Sequence, residues 1–161
     1  MLFCLVSLTS CPYSTSVPLT EANTKANSDY YGKWCEEDDL AYGTNPTYYE
    51  VKESDHKDGD NEYLFEEYSW SYSDEKYDKT KYYAHISTIK GVDFLNVHSA
   101  DDEETFYFYR IEKDGDNFKV VEVTENITES FTSSSALKKF FEEHMHLSFF
   151  YENYEETYVR Q

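Results

Sequence analysis

Cysteine, proline, glycine and positive charge are all scarce in this 161-residue sequence, and each shortage removes a class of protein. The three cysteines, Cys4, Cys11 and Cys35, form no Cys-x-x-Cys pair and no His/Cys cluster at zinc spacing, which excludes a zinc-bound scaffold. Three prolines and five glycines leave no long flexible linker between domains. The length suits one domain with room for a real core. Lysine and arginine number 14 against 33 aspartates and glutamates, giving a net charge of -19. Such a surface repels nucleic acid and anionic lipid headgroups, so neither is expected as a direct partner. No segment approaches the roughly 18–20 apolar residues of a membrane-spanning helix. Aromatic residues, by contrast, are plentiful: 17 tyrosines and 11 phenylalanines. Disordered acidic chains lack such side chains, whose large buried areas drive folding.

The N-terminal apolar run from Leu2 to Leu8 ends in Thr9-Ser10-Cys11. Leu8-Thr9-Ser10-Cys11 resembles the lipobox of bacterial lipoproteins: a branched apolar residue and two small ones before the cysteine that becomes the lipid-carrying N-terminus. The resemblance implies a signal peptide over 1–10, lipidation at Cys11 and attachment to the cell envelope through that lipid. The leader is short and lacks the usual basic start, which suggests a start site upstream of Met1. Pro12 in place of an acidic residue after the cysteine implies the outer membrane of a Gram-negative bacterium. The alternative, an N-terminal strand over 1–8, fits poorly with the abrupt change to a polar tract. With Cys4 removed and Cys11 acylated, Cys35 stands alone, a small buried hydrophobe with no disulfide partner. Residues 11–29 are small and polar, with two prolines, and read as a flexible tether.

From Tyr30 the pattern changes. Aromatic and β-branched runs predict strands near 31–37, 47–54, 62–72, 80–89, 92–99, 104–112, 117–124 and 155–160. Short strands at this spacing indicate a mainly β fold, an antiparallel meander closing into a barrel over 30–161. The five-residue stretch Lys-Asp-Gly-Asp-Asn occurs twice, at 57–61 and 113–117, each time between strand-like runs. Asp-Gly supplies the positive φ of tight hairpins. Neither copy has the alternating ligands and later bidentate glutamate of a calcium loop, so turn chemistry is the better reading.

Lys90-Gly91 predicts another hairpin, which pairs Ile89 with Val92, Ile86 with Leu95, His85 with Asn96 and Tyr83 with His98. Alternation then groups Tyr83, His85, Ile89, Phe94, Asn96 and His98 on one face, and Ala84, Ile86, Leu95 and Val97 on the other. The second face is the more apolar and is the core candidate. On the first face, Tyr83, His85, Phe94, Asn96 and His98 are candidates for contacting a ligand. His85 and His98 are diagonal neighbours, but no third ligand completes a metal site. A single amphipathic helix is expected over Ser133–Met145, capped by serine, with Ala136, Leu137, Phe140, Phe141 and His144 as its packing stripe.

Gly32-Lys33-Trp34, the meander and the late helix before a last strand are together similar to lipocalins. That resemblance makes Gly32 and Trp34 the fold signature, with Trp34 closing the base of a barrel of about eight strands. The family's arginine that packs on this tryptophan matches either Arg110 or Arg160. Val17-Pro18-Leu19, Gly91 with Phe94-Leu95-Asn96, and Phe131 to Phe140 also resemble small Gram-negative lipoproteins of unknown role. The implied function is a non-catalytic, lipid-anchored module binding a small apolar or aromatic ligand or a partner protein, with no cofactor. The alternatives are an envelope protein with a filled barrel and, less favoured, a carboxylate-based hydrolase, for which no nucleophile motif is present.

Overall fold

The computed structural model describes residues 12–56, 59–124 and 126–161. Its strands are β1 (Ser14–Thr15), β2 (Gly32–Glu36), β3 (Tyr48–Glu53), β4 (Tyr63–Ser71), β5 (Lys76–Ile89), β6 (Val92–Ser99), β7 (Asp102–Asp114), β8 (Asn117–Glu122) and β9 (Glu156–Arg160). Helix α1 spans Glu37–Tyr42 and helix α2 spans Ser134–His144. Strands β2 to β9 follow one another antiparallel, and β9 returns to lie between β8 and β2. The result is a closed eight-stranded antiparallel barrel with β1 as an extra strand, the mainly β fold that the aromatic and β-branched runs predict. Strand β1 pairs with β7 at Tyr107 and Phe106, just past the stretch that β8 occupies.

Turn chemistry sets the register. Lys90 and Gly91 have φ of 48° and 83°, a two-residue turn whose twist matches the strands it joins. Ile89 therefore faces Val92, and the expected pairs Ile86–Leu95, His85–Asn96 and Tyr83–His98 all form. Asp114 faces Asn117 in the same way across Gly115-Asp116. The other copy of that five-residue stretch behaves differently. Lys57 and Asp58 lie outside the described residues, and Gly59–Asn61 is a 3-10 turn within a longer connection. Strand β5 also begins earlier than expected, at Lys76, and the short acidic α1 has no counterpart in the sequence reading. Glu37, Asp38 and Asp39 fill its first turn, where the helix dipole favours negative charge.

Alternation along the strands builds two cores. Trp34, Val51, Tyr63, Ala84, Leu95, Ile111 and Phe118 pack inside the barrel. Outside it, Phe94, Ile89 and Phe108 meet Leu137 and Phe141 of α2, together with Phe150, Tyr13 and Leu19. The ring of Phe141 stands edge-on to Phe94, Phe108 and Phe150 at 5.2, 5.4 and 4.9 Å. Such pairs add to the stabilisation from area burial alone. Ser133 caps α2 by accepting the Ala136 N–H. The buried stripe is narrower than expected: Leu137 and Phe141 are buried, Phe140 and His144 are half-buried, and Ala136 is exposed.

Residues 12–29 are not a free tether. Tyr13 and Leu19 are buried. The Leu19 N–H donates to Asn96 Oδ1 at 2.7 Å, and the Thr20 and Ser87 hydroxyls are 2.6 Å apart. Asn61 donates to the Ala22 carbonyl, and the Ala26 N–H to that of Asp60. This strap crosses the outer face of the barrel and then turns beneath its base. It uses isolated anchors instead of a repeating face, so it carries no periodic signal. Cys11 and the leader lie outside the described residues.

Candidate functional site

Inward-facing residues from all eight barrel strands, with Tyr30, line a cavity of about 360 Å³. Its floor is aromatic. Tyr30 stacks on Phe118 at 4.6 Å, and Trp34 lies against the same ring at 4.5 Å. Below them the Arg160 guanidinium sits 4.5 Å from the Trp34 ring and donates to the carbonyls of Tyr31 (2.7 Å) and Asp29 (2.6 Å). The Trp34 indole N–H donates to the Tyr30 carbonyl. Gly32 has φ of +138°, and a Cβ there would lie 3.0 Å from Arg160 Nη1, so both backbone and space call for glycine. Of the two candidate arginines it is therefore Arg160 that lies on Trp34. Arg110 lies on Tyr151, 4.9 Å from its ring.

Above the floor, Val51, Phe65, Leu95, Val97, Ile111 and Val120 make an apolar wall. The remaining wall is of another kind. Tyr49 and Tyr82 both donate to Glu67, at 3.3 and 3.0 Å, and Tyr158 donates to Glu156 at 2.6 Å. Glu122 lies opposite Tyr109 in the register of β7 and β8. Burial first, and then the carboxylates nearby, push the tyrosine pKa values up, to about 12 for Tyr82 and well above the ordinary value for Tyr49, Tyr109 and Tyr158. These phenols stay protonated and keep donating. Among the described residues lining the cavity, none is lysine, arginine or histidine.

Tyr83, His85, Phe94, Asn96 and His98 do share one face, but it is the outer one. Phe94 is covered by α2, and His85 Nε2 donates to the Thr20 carbonyl of the strap at 2.7 Å. The Asn96 amide bridges the strap, Ser87 and the His85 carbonyl. Tyr83 donates to Asp55 at 2.7 Å. All five are buried by their own chain and none lines the cavity, which lies on the opposite face. Of the polar atoms that suggested a site, His85 Nε2 and Asn96 Oδ1 are matched to backbone groups of the strap.

A second polar cluster holds the β3–β4 connection to this outer face. Glu62 is buried, with His56 Nδ1 at 3.0 Å and His98 Nε2 at 3.8 Å, and His56 also reaches Glu103. Burial alone would raise Glu62, but the two histidines outweigh it and lower its pKa. Burial likewise depresses His98, but its bonds to Glu62 and the Ser99 carbonyl outweigh that and leave it raised. His85, held mainly by burial, is lowered. Cys35 is buried, its thiol pKa pushed up by burial, and it donates to the Thr47 carbonyl.

The cavity's glutamates and tyrosines escape sequence reasoning because they come from six separate strands, with no local motif. A partial signal exists in Phe65-x-Glu67, Val120-x-Glu122 and Glu156-x-Tyr158, where apolar and carboxylate residues share one strand face. No protein-family model, curated protein or solved structure matches the chain.

Proposed function

We propose that this chain is a lipid-anchored binding module of the cell envelope, lipocalin-like and non-catalytic, whose barrel holds a small ligand with an apolar or aromatic body. The 360 Å³ cavity carries the reading. Ligand pockets run from about 300 to 1,000 Å³ and combine an apolar lining with a few placed polar groups. The volume and the mixed lining fit the lower end of that range, which favours a small ligand over a purely structural role with a filled barrel. The packing of Arg160 on Trp34 behind Gly32 supports the lipocalin-like comparison. Leu8-Thr9-Ser10-Cys11 supports attachment through lipid at Cys11, where two or more acyl chains would give stable anchoring.

Titration with the neutral fluorophore 1-aminoanthracene tests the cavity. Saturable binding at one site is expected, and Val97→Phe should abolish it by filling the space without lowering thermal stability. An unaltered protein that does not bind the dye refutes the reading. Mass spectrometry of protein extracted from membranes of its native host tests the anchor: acylated Cys11 at the N-terminus is expected, and an unmodified chain in the cytosol refutes it.

A further inference from the structure

We propose that the ligand of this cavity is a small organic cation, an amine whose ammonium group sits among Glu67, Glu156 and the rings of Tyr49, Tyr82 and Tyr158. The inference rests on the cavity reading above and deepens it.

The two glutamates buried on the outer face, Glu62 and Glu66, each have basic partners. Glu66, on the outer face, has Lys52 Nζ at 2.7 Å and an ion pair with Lys79, which together hold its pKa down to about 2. Glu62 has His56 and His98. A carboxylate removed from water is costly without a countercharge, and on the outer face each one receives it. Inside the barrel the arrangement differs: Glu67 and Glu156 are half-buried in the cavity wall. Glu67 and Glu156 take hydrogen bonds from tyrosines, which satisfy lone pairs but bring no charge. No ion pair among the described residues reaches either one, and none of the described residues lining the cavity is lysine, arginine or histidine.

The surrounding rings choose the kind of cation. Tyr49 and Tyr158 stand edge-to-face at 5.8 Å, so an ammonium beside Glu156 lies close to aromatic faces that attract it. An alkyl or aryl body attached to that ammonium then meets Phe65, Leu95 and Val97. A bare metal ion would use none of that apolar wall. An anionic ligand would face like charge from all three glutamates. A net charge of -19 further concentrates small cations around the molecule.

Isothermal calorimetry with three indoles of similar size tests this on the unaltered protein: tryptamine, tryptophol and indole-3-acetate. Tryptamine should bind at least about tenfold more tightly than tryptophol, as a hydrogen bond to a charged group implies, and indole-3-acetate should not bind. Glu67→Gln with Glu156→Gln should bring tryptamine down to the affinity of tryptophol and leave tryptophol unchanged. Calcium at constant ionic strength should leave tryptamine binding unaltered. Equal affinity for amine and alcohol, or displacement of tryptamine by calcium, overturns the organic cation while the cavity still binds. If none of the three indoles binds and 1-aminoanthracene also fails, the cavity reading itself has failed and this inference with it.

Discussion

Phe94 and Val97 stand three residues apart on one strand and point to opposite sides of the barrel wall, so truncating each should report on a different core. Phe94 is fully buried between the sheet and α2, in edge contact with Phe141. Replacing it with alanine removes the ring and leaves a void that the surrounding phenylalanines cannot close, at a cost of about 3–5 kcal/mol. For a domain of this size each kcal/mol moves the melting temperature by about 2–4 °C, so Phe94→Ala should lower it by roughly 6–20 °C. Val97 is only half-buried and borders a space that already exists. Val97→Ala loses two methyl groups from a partly wet site, about 1 kcal/mol, with no new void. Guanidinium unfolding followed by far-UV circular dichroism and by fluorescence of Trp34 and Trp70 measures both variants. The slope against denaturant should be unchanged, and the two probes should coincide. Equal losses from the two substitutions would refute the two-core reasoning. So would separate transitions, which would make α2 an appendage instead of part of one cooperative unit.

Other expectations concern the base, the strap and the histidine cluster. Arg160→Lys keeps the charge but loses the planar fork that reaches two carbonyls, and should cost roughly 1–3 kcal/mol in the same unfolding assay. Gly32→Ala, forced to a positive φ against Arg160, should cost about as much. Leu19→Ala should destabilise by about 2–4 kcal/mol if the strap belongs to the folded domain, whereas a tether residue would give no measurable change. His98 is raised in the fold, so its contribution is complete below an ordinary histidine value of about 6.5 and is lost as pH rises through the folded value. Glu62 is lowered, so its contribution is present above about 4.3 and is lost as pH falls through the folded value. His98→Gln should therefore cost most between roughly pH 4.5 and 6.5 and least at pH 9. A cost independent of pH would show that the Glu62–His98 pair does not titrate as described.

How far the fold could be read from sequence depended on whether each feature was local. Strand positions and the register of the β5–β6 hairpin followed from alternation and from Lys90-Gly91, since a two-residue turn leaves no freedom in pairing. Which face looked into the barrel followed as well; how deeply the other face is buried did not. Ala84, Ile86, Leu95 and Val97 read as the core, and they do face the barrel, but the face carrying His85 and Asn96 is buried more deeply still. Its polar side chains serve backbone groups of a segment more than sixty residues away in sequence, a match that hydrophobicity does not register. The cavity wall is harder to read, because its glutamates and tyrosines converge only when the barrel closes. Arg160 illustrates the same limit: the choice between it and Arg110 depended on which strand ends beside Trp34.

Closure by β9 has a kinetic corollary. Trp34 pairs with Arg160, so the first stave of the barrel must wait for the last five-residue stave before either is locked in place. Until those residues emerge from the ribosome, β2 and β8 remain open edges, and no intermediate can seal the interior early. Contacts of such long sequence separation make for slow assembly. Such a chain stays threadable until β9 is made and becomes a shell only then.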